Sequence, residues 1–128
     1  LPFKKPKKAV PIKSAQVLVI QSNQQWLWQQ RPNSGLWGGL WCLPIIENPA
    51  EFATQCQALG LKKVIQRTEI SHSFTHFTWQ LEAICFEVAA DQQEHLAIEL
   101  NGTWLATQIA TEIGIPTAMK KLISALRL

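Results

Sequence analysis

Apolar and polar positions along this chain follow the two periods that mark strands and helices. Ala15, Val17, Leu18, Val19 and Ile20 form a β-branched run of strand length. The Ser22-Asn23 turn signal precedes a second apolar run, Trp26-Leu27-Trp28, so a hairpin is expected. Arg31-Pro32-Asn33-Ser34-Gly35 reads as a loop and leads into Leu36-Trp37-Gly38-Gly39-Leu40-Trp41. At Asn48-Pro49-Ala50-Glu51 a helix should start, with Asn48 as N-cap, Pro49 in the first turn and Glu51 placed to close a capping box. Phe52, Cys56 and Leu59 then share one helical face, and Gly60 suits a left-handed stop.

Residues 63–70 and 76–88 predict two strands joined by Ser71 to Thr75. In the second, Phe77, Trp79, Leu81, Ala83 and Cys85 alternate with Thr78, Gln80 and Glu82, as a strand with one buried face requires. A short helix is expected over 107–113, stopped by Gly114 and Pro116. A last helix follows, with Met119, Leu122, Ile123 and Leu126 as its apolar stripe. Strands and helices in this order predict an α/β (α+β) sandwich. Trp26, Trp28, Trp41 and Trp79 are expected in its core, and Trp104 at a strand start after the Asn101-Gly102 turn. Trp37, in a glycine-rich loop, suits either core packing or base stacking.

Composition narrows the class. At 128 residues and 47% hydrophobic content, with six Trp and five Phe, one globular domain with one core is expected. No apolar run approaches the roughly 18 to 20 residues of a membrane span, and no export signal is visible, so a soluble intracellular protein is expected. Cys42, Cys56 and Cys85 have the spacing of neither a disulfide framework nor a CxxC metal site and read as buried thiols.

Charge is unevenly placed. Lys4, Lys5, Lys7, Lys8, Lys13 and Arg31 all precede the first acidic residue, Glu47. Residues 1–13, with Pro2, Pro6 and Pro11 among five lysines, cannot bury an apolar face and predict an extended connector, with a globular domain over 14–128. A connector implies a neighbouring N-terminal domain. Its lysines read as a solvated tail or as contacts to phosphate.

Four ordered segments carry a family resemblance. Arg31-Pro-Asn-Ser-Gly-Leu-Trp-Gly-Gly-Leu-Trp-Cys-Leu-Pro44 resembles a signature of the C-terminal domain of MutY-type adenine DNA glycosylases. So do His72-Ser-Phe-Thr-His-Phe77 and Ile115-Pro-Thr-Ala-Met-Lys-Lys-Leu122, while Leu1-Pro-Phe-Lys-Lys-Pro-Lys-Lys8 resembles the tail of that family's interdomain connector. The resemblance implies a Nudix-like fold, a mixed β-sheet sandwiched between helices. It implies a DNA-repair domain that recognises 8-oxoguanine opposite adenine in double-stranded DNA, through Phe74, Thr75 and His76, with Thr standing where the family has Ser. It further implies connector contacts to DNA phosphates from Lys4, Lys5, Lys7 and Lys8. The catalytic acids and a [4Fe-4S] cluster would belong to an N-terminal catalytic domain, which is also the expected partner. The setting would be bacterial cytoplasm, or nucleus or mitochondrion in a eukaryote.

The residues themselves argue against chemistry in this chain. A Nudix hydrolase places glutamates in GX5EX7REUXEEXGU to hold a divalent metal. Anchored on Gly60, that pattern sets Ala53 and Thr54 at its Arg-Glu pair and Gln57 and Ala58 at its metal-binding glutamates, leaving no carboxylate there; Glu47 and Glu51 lie upstream. His72 and His76 have the spacing of a helical zinc pair, but their context is strand-like, where four residues span roughly 13 Å. No catalytic residue, metal or cofactor is therefore expected in this domain. The competing functions are an active Nudix nucleotide hydrolase and a Nudix-like regulatory or protein-interaction domain.

Overall fold

Two hairpins supply the framework of the sheet. β1 (Ile12–Ser22) turns back into β2 (Gln25–Gln30) through Asn23 and Gln24. Both turn residues have positive φ, 51° and 62°, which matches the twist of the flanking strands. β5 (Val64–Ser73) pairs antiparallel with β6 (Thr78–Glu87). A long parallel pairing of β1 with β6, from Ile12↔Thr78 to Gln21↔Glu87, joins the two hairpins. The computed structural model describes residues 10–126.

The remaining strands are short: β3 (Trp41–Cys42) and β7 (Thr103–Ala106) pair with β2, and β4 (Ile45–Ile46) pairs with β1. The main path of the mixed sheet runs β3-β2-β1-β6-β5, so β5 is an edge strand. Among the described residues the helices are α1 (Pro49–Ala58), α2 (Gln93–Leu100, after a 3₁₀ turn at Ala90–Gln92), α3 (Thr107–Glu112) and α4 (Thr117–Ala125).

Alternation along β1 divides the interior in two. Val17 and Val19 join Trp26, Trp28 and Leu81 against Ala110 of α3 and Met119 and Leu122 of α4. Leu18 and Ile20 join Leu27, Ile84 and Phe86 against Phe52 and Cys56 of α1 and Leu96 and Leu100 of α2. The sheet thus lies between two helical layers, the expected α/β (α+β) arrangement.

Several expectations are corrected. β6 does not have a single buried face: Ile84 and Phe86 are buried as well as Leu81, Ala83 and Cys85, because its C-terminal half lies between both helical layers. α2 lacks a clear sequence signal because only Leu96 and Leu100 are buried, while Ile98 is 73% exposed. Trp41 is half-buried against the first core, whereas Trp26, Trp28 and Trp79 are buried within it. Ile12 and Lys13, at the end of the Pro/Lys-rich stretch, already pair with Thr78 and Trp79.

α1 begins at the expected Asn48 cap and ends at Gly60, but among the described residues the Glu51 side chain makes no return bond to the Asn48 N–H, so the expected capping box is only half formed. Asn48 Oδ1 accepts from the Ala50 and Glu51 N–H groups at 2.9 and 3.2 Å. Gly60, at φ +72°, closes the far end, where its N–H reaches Gln57 O and that of Leu61 reaches Cys56 O. Asn48→Ala should lower stability by about 1 kcal/mol, and Asn48→Asp should retain most of it, as measured by urea unfolding.

Candidate functional site

The β5–β6 hairpin places the Phe74-Thr75-His76 segment at its tip. Strand pairing continues to Ser73↔Thr78, and the Phe74 N–H then donates to Phe77 O at 2.7 Å. Thr75 and His76 form the two exposed residues between them. The connecting segment is therefore 74–77 rather than 71–75. His72 and Ser73 belong to the strand because His72 pairs with Trp79 and packs inward, a polar residue occupying a regular strand position. Among the described residues, the carbonyls of Phe74, Thr75 and His76 accept no hydrogen bond, and the Thr75 and His76 side chains make none.

Beneath the tip lies a group of rings. Phe74 and Phe77 stack with centroids 4.6 Å apart, and His72 meets Phe74 edge-on at 4.8 Å. Trp79, only 6% exposed, floors the group at 6.2 Å from Phe74 and 5.9 Å from Phe77. Its indole N–H is buried with no acceptor among the described residues. Such ring pairs contribute roughly 0.5–1.5 kcal/mol beyond their buried area, so the tip stands on a fixed base rather than on solvent.

Trp37 completes this base from a distant part of the chain. Its ring lies 5.6 Å from Trp79, 5.9 Å from Phe74 and 6.4 Å from His72. Trp37 has φ +55°, a conformation costing a bulky residue about 1–3 kcal/mol unless its surroundings hold it there. The loop does hold it. Arg31 N–H donates to Leu40 O at 2.8 Å, Gly39 N–H to Pro32 O at 2.9 Å, Leu40 N–H to Trp37 O at 3.0 Å and Arg31 Nε to Leu36 O at 3.3 Å. Gly38 is required by close approach, since a Cβ there would lie 2.7 Å from Asn33 O. The structure thus assigns the Trp37 ring to packing against the hairpin base, and brings the segments 31–44 and 72–77 into one unit.

Two exposed lysines touch the rings. Lys13 Nζ sits 4.8 Å from the Phe77 centroid, and Lys121 Nζ lies 3.4 Å from His72 Nδ1. An ammonium has only donors, so Nδ1 accepts in that contact. Burial, and then the Lys121 charge, hold the His72 imidazole below its ordinary value of 6.5. Neither lysine was among the residues singled out from the sequence as a site. Lys4, Lys5, Lys7 and Lys8, which were, lie outside the described residues.

Carboxylates collect elsewhere. Glu47, Glu69 and Glu82 line a cleft of about 230 Å³ together with Ser14, Gln16 and Gln80. Gln16 Nε2 donates to Glu82 Oε1 at 3.0 Å. Among the described residues, no three His, Cys, Asp or Glu side chains are grouped so that they could hold a metal ion. At the two positions where the Nudix pattern places metal-binding glutamates, α1 carries Gln57 and Ala58. Cys42 and Cys85 are buried in one core and Cys56 in the other, so the three thiols are not brought together.

Residues 15–125 match a family model described as the NUDIX domain. Among solved structures, the C-terminal domain of mouse MUTYH, in a complex with human PCNA, superposes with a TM-score of 0.57 at 20% identity, over 87% of this chain and 84% of that one. A mutT/nudix family protein from Listeria innocua superposes with a TM-score of 0.54 at 16% identity, over 91% of this chain and 95% of that one. At these identities the likeness is one of fold.

The histidine in this group provides a local test. His72 should titrate below 6.5 by NMR, and Lys121→Ala should raise its midpoint only part of the way, because burial is the larger cause. The unfolded chain binds that proton more readily. The contribution to stability is therefore present above pH 6.5 and lost as pH falls through the folded-state value.

Proposed function

The chain belongs to the NUDIX domain family, and from that premise we propose that it is the lesion-reading domain of a MutY-type adenine DNA glycosylase. On this reading it binds double-stranded DNA at 8-oxoguanine opposite adenine, inside the cell, and a separate N-terminal domain carrying a [4Fe-4S] cluster removes the adenine. The Pro/Lys-rich residues that precede β1 then serve as the connector, with Lys4, Lys5, Lys7 and Lys8 near DNA phosphates.

One observation carries the reading: Thr75 and His76 stand exposed at a hairpin tip whose backbone carbonyls have no partner among the described residues, above a base built from Phe74 and Trp37. The chemistry of the lesion fits such a tip. 8-Oxoguanine differs from guanine by an added O8 acceptor and by an N–H donor at N7 where guanine has an acceptor. A hydroxyl such as that of Thr75 can donate or accept and so suits either base. A loop carbonyl can only accept; it pairs with the N7–H of the lesion and is left facing an acceptor when guanine takes its place. That mismatch costs about 1–3 kcal/mol.

The same logic opposes a nucleotide hydrolase. Hydrolysis of a nucleoside triphosphate requires anionic ligands for a divalent metal, and the family positions that would supply them hold Gln57 and Ala58. The family model matches a fold; the residues on α1 set its chemistry.

Two outcomes are expected. The chain should bind a duplex with 8-oxoguanine opposite adenine roughly five- to 150-fold more tightly than one with guanine there, as measured by fluorescence anisotropy. Thr75→Ser should be nearly neutral and Phe74→Ala more damaging. A Phe74→Ala, Thr75→Ala, His76→Ala variant that kept the full preference would refute the assignment. The chain alone should excise no adenine and should not hydrolyse 8-oxo-dGTP with Mg²⁺; turnover abolished by Glu51→Gln would establish the hydrolase instead.

A further inference from the structure

We propose that Lys13 and Lys121 grip two backbone phosphates of bound nucleic acid, one at each end of the ring group beneath the Thr75–His76 tip. The inference rests on the lesion-reading function proposed above and assigns that site its charge contacts. Lys121, His72, Phe74, Phe77 and Lys13 touch in succession, so a row of three rings ends in a cation on either side.

Both ammonium groups are positioned but uncommitted. Lys13 is fixed by the β1–β6 pairing, where it lies opposite Trp79 and where Thr78 N–H donates to Pro11 O at 2.9 Å. Lys121 projects from α4, whose Met119 and Leu122 are fully buried. Each has an ordered base, so less side-chain entropy is lost when an anion binds. Among the described residues neither has a carboxylate partner; the ion pair formed there is Lys63–Glu87, at 3.5 Å. An ammonium offers three donors. Lys121 uses one on His72, and a ring-face contact uses no lone-pair acceptor at all, so both lysines retain donors for phosphate oxygens.

The carboxylates of the acidic cleft stand away from the ring group. Along β5, Ile70, His72 and Phe74 pack toward the ring group, while Glu69 lies on the alternate face. Along β6, Trp79 and Leu81 face the first core and Glu82 alternates with them into the acidic cleft. The two lysines draw the polyanion to the ring face, which orients the tip toward the duplex. The lysines supply sequence-independent grip, and the tip supplies discrimination.

The test is the salt dependence of duplex binding by the 128-residue chain, measured by fluorescence anisotropy between about 50 and 200 mM KCl on DNA with 8-oxoguanine opposite adenine. Lys13→Gln and Lys121→Gln should each flatten the slope of log K against log[salt] by about 0.9, and the double variant by about twice that. Lys62→Gln, which makes the same charge change at an exposed site outside the ring group, should leave the slope within half of that amount. Lys13→Gln and Lys121→Gln slopes no flatter than that of Lys62→Gln would overturn the inference. If the lesion preference then still disappeared in the Thr75→Ala, His76→Ala variant, the lesion-reading function would stand without it. Flattened slopes in a chain with no preference for the lesion would support the phosphate grip and remove the lesion reading. A wild-type chain that fails to bind the duplex at the lowest salt would refute both.

Discussion

Parallel pairing of β1 with β6 is the constraint on which the rest of this molecule depends. Residues paired between those strands are more than sixty apart in sequence, and their register, from Ile12↔Thr78 to Gln21↔Glu87, sets which residues of each hairpin share a face. A slip of one residue would send Val17 and Val19 to the wrong helical layer and move Lys13 off the Trp79 side. Register is enforced because both faces of β1 are buried over Val17 to Ile20. Hydrophobic burial on two sides therefore also places a charged residue beside the hairpin tip, although that residue contributes nothing to either core.

Rigidity at the tip is borrowed from the loop over 31–40. A two-residue connection with no internal bonds beyond Phe74 N–H to Phe77 O would not hold one geometry unaided. Trp37, kept at an unfavourable φ by the bonds across its loop, presses a large flat surface against Phe74 and Trp79. The strain is local, and the compensation comes from ring contacts made tens of residues away. The segments 31–44 and 72–77 thus act as a single unit, which explains why glycines and tryptophans of one accompany aromatic residues of the other.

Much of the fold was legible in the residues: the β1–β2 hairpin, the Asn48 cap with its Gly60 stop, and the stripe of Met119, Leu122 and Leu126. Harder cases had physical causes. Periodicity could not show that Ile84 and Phe86 are buried, since a second helical layer was needed to cover them. α2 buries too narrow a stripe to announce itself. At the candidate site, Phe74, Thr75 and His76 were visible as a motif, but the limits of the turn were not, because polar His72 and Ser73 continue the strand. Composition places Lys13 with the connector lysines, and local pattern does not choose between core and stacking for Trp37. The partners of both are chosen by tertiary register, which local pattern does not encode.

The sulfur atoms of this chain are all out of reach. Burial pushes the Cys42 and Cys85 thiols up to about 12, with Glu87 adding to the rise at Cys85 and Arg31 opposing it at Cys42; Cys56 is raised as well. At neutral pH a thiol of that acidity is ionised in about one molecule in 10⁵, and the thiolate is the form that peroxides attack. The single methionine, Met119, has no exposed surface. A domain built this way offers oxidants little accessible sulfur, so peroxides have no ready point of entry into either core.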